Sequence, residues 1–105
     1  MYILFGQAEL FFPYSSSLKE KRMVVQSVIM RVRKRFNISI CEVDHHNLWQ
    51  RSTLGFTAVC NSFSEAEPFV SAIRDSIEKH EDACEITLFH YDVCNHKPGD
   101  TMGFV

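Results

Sequence analysis

The same change of apolar period occurs twice along this chain, and nothing else in the sequence constrains its fold as tightly. Over residues 2–12, Tyr2, Leu4, Ala8, Leu10 and Phe12 share one parity, while Ile3, Phe5, Gln7, Glu9 and Phe11 share the other. Alternation of this kind makes a strand with one apolar face and one partly solvated face, and Pro13 ends it. Ser17-Leu18-Lys19-Glu20 then has the pattern of a capping box. Leu18, Val25, Val28, Ile29, Val32 and Phe36 follow at three- and four-residue steps, which is one helical stripe. Asn37 is the expected stop, because asparagine tolerates the left-handed conformation there. Residues 38–43 return to strand character, with the apolar parity of Ile38 and Ile40 breaking at Glu42, either at a bulge or where the strand leaves the core. Residues 54–60 form a third strand, with Leu54, Phe56, Ala58 and Cys60 on the helix side and Thr57 and Val59 opposite. A second helix opens within residues 62–67, where Ser62 with Glu65 and Ser64 with Glu67 both fit a capping box. Pro68 favours the later start. Phe69, Val70, Ile73 and Ile77 are its buried stripe, and residues 86–93 form a fourth strand.

Strand, helix, strand, strand, helix, strand is the split βαβ order. The predicted architecture is ferredoxin-like α+β: a four-stranded antiparallel sheet with two helices on one face. Leu10, Val25, Val32, Phe56 and Ile73 are expected to be buried together. The domain is expected over residues 1–94, followed by an irregular, turn-rich tail over 95–105. A chain of 105 residues with 46% hydrophobic residues can close a core without metal or disulfide. The four cysteines (Cys41, Cys60, Cys84, Cys94) form no C-x-x-C pair and read as reduced structural thiols. No apolar run reaches the roughly 20 residues of a membrane span. The apolar start lacks a basic flank and carries Gln7 and Glu9, so it reads as a strand and not a signal peptide. The expectation is a cytoplasmic protein.

The richest segment for chemistry is Glu42-Val43-Asp44-His45-His46-Asn47-Leu48-Trp49-Gln50-Arg51, which holds the only tryptophan and lies largely between two strands. Adjacent histidines on a strand point to opposite faces, and no further Cys or His completes a tetrahedral set, so no metal and no cofactor are expected. Asp44 with His45 could act as acid and base. No nucleophile or phosphate-binding loop accompanies them, and a non-enzymatic protein is expected. Trp49 has two readings. It can lid one end of the core while Arg51 pairs with Asp44 or Glu42, or it can form, with Gln50 and Arg51, a plate on which a base stacks.

The net charge of -2 hides an asymmetry. Residues 1–52 carry eight Lys or Arg against four acids, and residues 53–105 carry three against nine. Seven of the basic residues sit on the first helix. Flanking an apolar stripe, they can be ordinary solvated side chains, with Arg33-Lys34-Arg35 meeting the helix dipole. They can also be phosphate contacts. The candidates for RNA contact are Lys19, Lys21, Arg22, Arg31, Arg33, Trp49, Gln50 and Arg51. The loop constellation is Glu42, Asp44, His45, Trp49 and Arg51. Ile3, Phe5, Val59, Phe89 and Tyr91 are expected on the open sheet face, where their apolar surface would favour a homodimer.

Ser17-Leu18-Lys19-Glu20-Lys21-Arg22, Arg35-Phe36-Asn37, Glu42-Val43-Asp44-His45, Leu48-Trp49-Gln50-Arg51 and Leu54-Gly55, in this order and spacing, resemble the YlxP-like family of small bacterial proteins. The resemblance spans most of residues 1–92. It implies a ferredoxin-like fold and, through typical gene neighbourhood, a place near translation and ribosome maturation. It implies no activity. The chain departs from the family pattern at Cys41, Cys60, His46 and its C-terminal tail. Structured RNA or the ribosome is therefore the expected partner. The alternative is a homodimeric regulatory or protein-interaction module without nucleic-acid binding.

Overall fold

The computed structural model describes residues 1–99. Its elements are β1 (Tyr2–Phe11), α1 (Leu18–Arg35), β2 (Ser39–Asp44), β3 (Arg51–Cys60), α2 (Ala66–Glu78) and β4 (Glu85–Asn95), with a short 3-10 turn, Phe63–Glu65, leading into α2. The strands form one antiparallel sheet in the order β2-β3-β1-β4. Leu4, Ala8 and Leu10 of β1 and Leu54, Phe56 and Ala58 of β3 meet Val25, Val28 and Val32 of α1 and Val70, Ile73 and Ile77 of α2 in one core. Both helices therefore cover the same sheet face, as the apolar parities require.

Local chemistry sets the helix ends. The Ser17 hydroxyl accepts from the Glu20 N–H (3.2 Å), as a capping box demands, but the Glu20 carboxylate reaches one residue further back, to the Ser16 N–H (2.9 Å) and hydroxyl (3.0 Å). These two bonds hold the Glu20 carboxyl below its usual range, the backbone bond first. Asn37 is not the cap. Phe36 is, in an extended conformation with its N–H on the Val32 carbonyl. Its ring packs edge-on against Phe69 at 5.3 Å, so anchoring an aromatic side chain to α2 ends the helix. α2 begins at Ala66 with Pro68 in the first turn, but neither expected capping box forms. Its N-cap is Glu65, with no side-chain cap bond. The Ser62 and Ser64 hydroxyls bond each other (3.2 Å), while the Glu65 carboxylate accepts from the Asn61 N–H (3.2 Å).

Two bulges change which side chains share a face. In β2 the register shifts between Glu42 and Asp44, a bulge at Val43 that follows Glu42, which itself keeps the inward parity of Ile38 and Ile40. In β4, Leu88 opposes Glu9 but Ile86 opposes Leu10, which leaves Thr87 as the extra residue. Its hydroxyl donates to the Glu9 carbonyl (3.2 Å). This bulge moves Phe89 and Tyr91 to the helix side, opposite Ala8 and Gly6, and corrects the expectation that they line the open face. Phe89 packs on Phe56 at 5.6 Å, under the Arg74 guanidinium at 4.2 Å. The open face keeps Ile3, Phe5 and Val59 and gains Leu88, His90 and Asp92 from the residues opposite Glu9, Gln7 and Phe5. Gly6 makes room for this arrangement, since a Cβ there would lie 2.7 Å from the Phe56 ring and 2.8 Å from the Tyr91 Cβ.

β4 extends past the expected boundary. Asn95 is in the strand, and Met1 and His96 exchange both backbone hydrogen bonds (3.0 and 2.7 Å). Of the expected irregular tail, residues 98–99 form a turn with Gly99 at φ 88, and residues 100–105 lie outside the described residues.

Candidate functional site

On α1, Lys21 lies within the apolar stripe, four, seven and eleven residues before Val25, Val28 and Val32. It is fully buried. Its ammonium donates to the carbonyls of His45 (2.7 Å), His46 (3.3 Å) and Arg51 (3.1 Å) and lies 3.0 Å from Glu42 Oε2. Glu42 occupies the apolar parity of β2, opposite Leu54, so its carboxylate points into the helix layer. It also accepts from the buried Ser52 hydroxyl (2.5 Å). Two polar residues, each misplaced in its own element's pattern, are thus each other's partners, and no buried polar side chain among the described residues lacks a hydrogen bond. Lys21 cannot reach a phosphate, which corrects its place among the RNA candidates. Its position on the helical wheel was the available signal.

The connection between β2 and β3 is shorter than expected, because pairing resumes at Arg51 opposite Phe11. Residues 45–50 turn the hairpin. His45 takes a positive φ of 64, its N–H bonded to Asp44 Oδ1 (2.7 Å) and its Nδ1 3.0 Å from the Thr53 hydroxyl. His46 Nε2 donates to the Glu42 carbonyl (3.0 Å). Gln50 is tied to β1, its carbonyl accepting from the Phe12 N–H (2.8 Å) and its side chain donating to the Pro13 carbonyl (3.2 Å). The two histidines have different partners, and among the described residues no three His, Cys, Asp or Glu could hold a metal ion.

Trp49 stands outside this network. It is 54% exposed, so it does not lid the core. Arg51 forms no ion pair with Asp44 or Glu42, whose place is taken by Lys21. The expected Arg51 ion pair is overturned because the buried lysine already holds Glu42 and staples the hairpin. Phe11, Asn47, Leu48, Trp49, Gln50 and Arg51 line a shallow trough of about 380 Å³ at the tip. Glu42, Asp44 and His45 belong to the scaffold beneath it.

The helical cations divide. Lys19 and Arg22 are exposed in the first turns of α1, the end from which the buried Lys21 reaches the hairpin. Arg33 lies further along, on one flank of the apolar stripe, and donates to the Ile40 carbonyl of β2 (2.8 Å). Arg31 faces the other flank. Lys19, Arg22, Arg31 and Arg51 have no carboxylate within ion-pair distance among the described residues. The structure thus brings together Trp49, Gln50 and Arg51 in one trough with Phe11, the β1 partner of Arg51 on the open-face parity, while Lys19, Arg22 and Arg31 lie on the helix layer.

The topology defines the class first: an α+β domain of ferredoxin-like architecture with a rigid hairpin at one end of the sheet. It is similar to the solution NMR structure of the de novo designed protein LFR1 1 with ferredoxin fold, with a TM-score of 0.58 and 14% identity over 100% of this chain and 95% of that one. It is also similar to the de novo designed protein Foldit4, with a TM-score of 0.57 and 9% identity over 92% of this chain and 100% of that one. The model of the family described as "Protein of unknown function (DUF503)" matches residues 3–91, and the chain belongs to that family. It is 38% identical over 63 residues to the uncharacterized protein YlxP of Bacillus subtilis (strain 168), covering 60% of this chain and 68% of that protein. No helix among the described residues is long and apolar enough to cross a membrane.

Proposed function

We propose that this chain is a cytoplasmic, non-enzymatic accessory factor that binds structured RNA, on or near the ribosome. Contact is made by Lys19 and Arg22 of α1 and by Trp49, Gln50 and Arg51 at the hairpin tip. The observation that carries this reading is the exposed Trp49 ring beside an unpaired Arg51, on a hairpin held rigid from within. An indole in the open has little structural use. A rigid aromatic plate next to a guanidinium suits an unstacked base and its phosphate. Lys19 and Arg22 add sequence-independent attraction.

The test is co-sedimentation with ribosomal particles, and binding to ribosomal RNA fragments, at two salt concentrations. Trp49→Ala should melt like the parent, because the ring is exposed, yet lose about 1–3 kcal/mol of affinity with its salt slope unchanged. Lys19→Gln with Arg22→Gln should weaken binding to all RNAs and flatten the log-log salt slope by about 1–2. A parent protein that neither co-sediments nor binds RNA at low salt overturns the proposal and favours the interaction-module reading.

A further inference from the structure

The two edges of the sheet are treated differently. On β2 the carbonyls of Ile40 and Glu42 are capped by Arg33 (2.8 Å) and His46 (3.0 Å). This edge is short and blunted against pairing. β4 is 11 residues long. Met1 and His96 form a hydrogen-bonded pair, and the register to Leu88 is continuous. Antiparallel bonding alternates, so the backbone groups of Phe89, Tyr91 and Val93 turn away from β1. Among the described residues nothing caps them.

We infer that β4 of one copy pairs antiparallel with β4 of a second copy, across a two-fold axis at Tyr91. The strand is complementary to its own reverse about that residue. The register sets Phe89 opposite Val93 of the second copy, both on the helix face. It sets His90 opposite Asp92 and Leu88 opposite Cys94, all on the open face. Each cross-strand pair then matches like with like or an imidazole N–H with a carboxylate. Tyr91 pairs with its own equivalent through outward backbone groups, which is the hydrogen-bonded geometry. Centring the axis on Phe89 or Val93 brings His90 opposite Leu88 or Asp92 opposite Cys94 and loses this match. Arg74, stacked on Phe89, keeps a cation among the acids that α2 brings to this edge. The two sheets would join into one of eight strands. This inference does not depend on RNA binding, because the β4 edge lies across the sheet from β2 and its hairpin.

The experiment combines light scattering across a concentration series with residue-resolved amide hydrogen exchange on the full chain. The expected result is a dimer at high concentration, with the Phe89, Tyr91 and Val93 amides becoming protected as it forms. His90→Asp should weaken the dimer by about tenfold or more through like charges face to face. Adding Asp92→His to it should restore the parent affinity, a rescue that misfolding cannot mimic. A monomer whose three amides exchange freely at every concentration overturns the inference. So does a dimer unaffected by either variant. Protection that is independent of concentration and vanishes when residues 100–105 are deleted also overturns it, by assigning the edge to the chain's own tail.

Discussion

Lys21 shows how one residue can be misread from sequence. A lysine between Glu20 and Arg22 looks like part of a solvated run, yet its wheel position puts it in the core stripe. Glu42 likewise looks like the end of an apolar alternation, when it continues it. Neither makes sense until the other is placed, and sequence distance hides the pairing. The pair is buried, so removing one member strands the other. Lys21→Met should cost roughly 3–5 kcal/mol, and thermal melting should show a Tm lower by about 15 °C or more. Adding Glu42→Leu should recover part of that loss, since an apolar pair leaves no buried charge. A Lys21→Met protein that melts with the parent would sink the assignment. The cysteines give a second residue-level test. Burial, then the nearby Asp82, pushes the Cys84 thiol up to about 11 from 9.0. In that window the unfolded chain releases the proton and the folded chain keeps it. Folded stability should therefore be untouched below pH 9.0, fall as pH rises from there to about 11, and then level off. Alkylation near neutral pH should modify the exposed Cys41 readily and leave Cys84 untouched until the protein is unfolded.

At the scale of elements, the order and type of every strand and helix were legible, because each buries one clean apolar face. Ends and faces were less so. Phe36 ends α1 through a contact with α2 that no local pattern contains. β3 begins at Arg51 because Phe11 is there to pair with it. The Thr87 bulge reverses the faces of the strand after it, and alternation counted from Ile86 alone cannot reveal a residue that drops out of the count. The exposed state of Trp49 was not legible either, since a lone tryptophan in a connection fits a core lid and a surface plate equally well. Gly6 records the outcome of the bulge. With Phe56 and Tyr91 both leaning over it, a Cβ would also lie 2.4 Å from the His90 carbonyl, and backbone cannot give way cheaply. Gly6→Ala should destabilise by about 1–3 kcal/mol, read as a lower urea midpoint with unchanged m-value. A neutral result would mean that β4 does not run in this register.

Across the whole molecule, topology turns a sequence asymmetry into a spatial one. The basic first half supplies α1 and the β2 edge, and the acidic second half supplies α2 and the β4 edge. A protein with a net charge of -2 thus presents a cationic flank beside its hairpin. The buried lysine gives that flank a mechanical property. Three carbonyls of the hairpin hang from one side chain rooted in the helix, so tip and helix move as one body. Ordering entropy that a floppy loop would surrender on meeting a ligand has already been given up during folding. Recognition at the tip should then proceed as rigid docking, with association rates governed by diffusion and charge and no rearrangement phase in stopped-flow traces of Trp49 fluorescence.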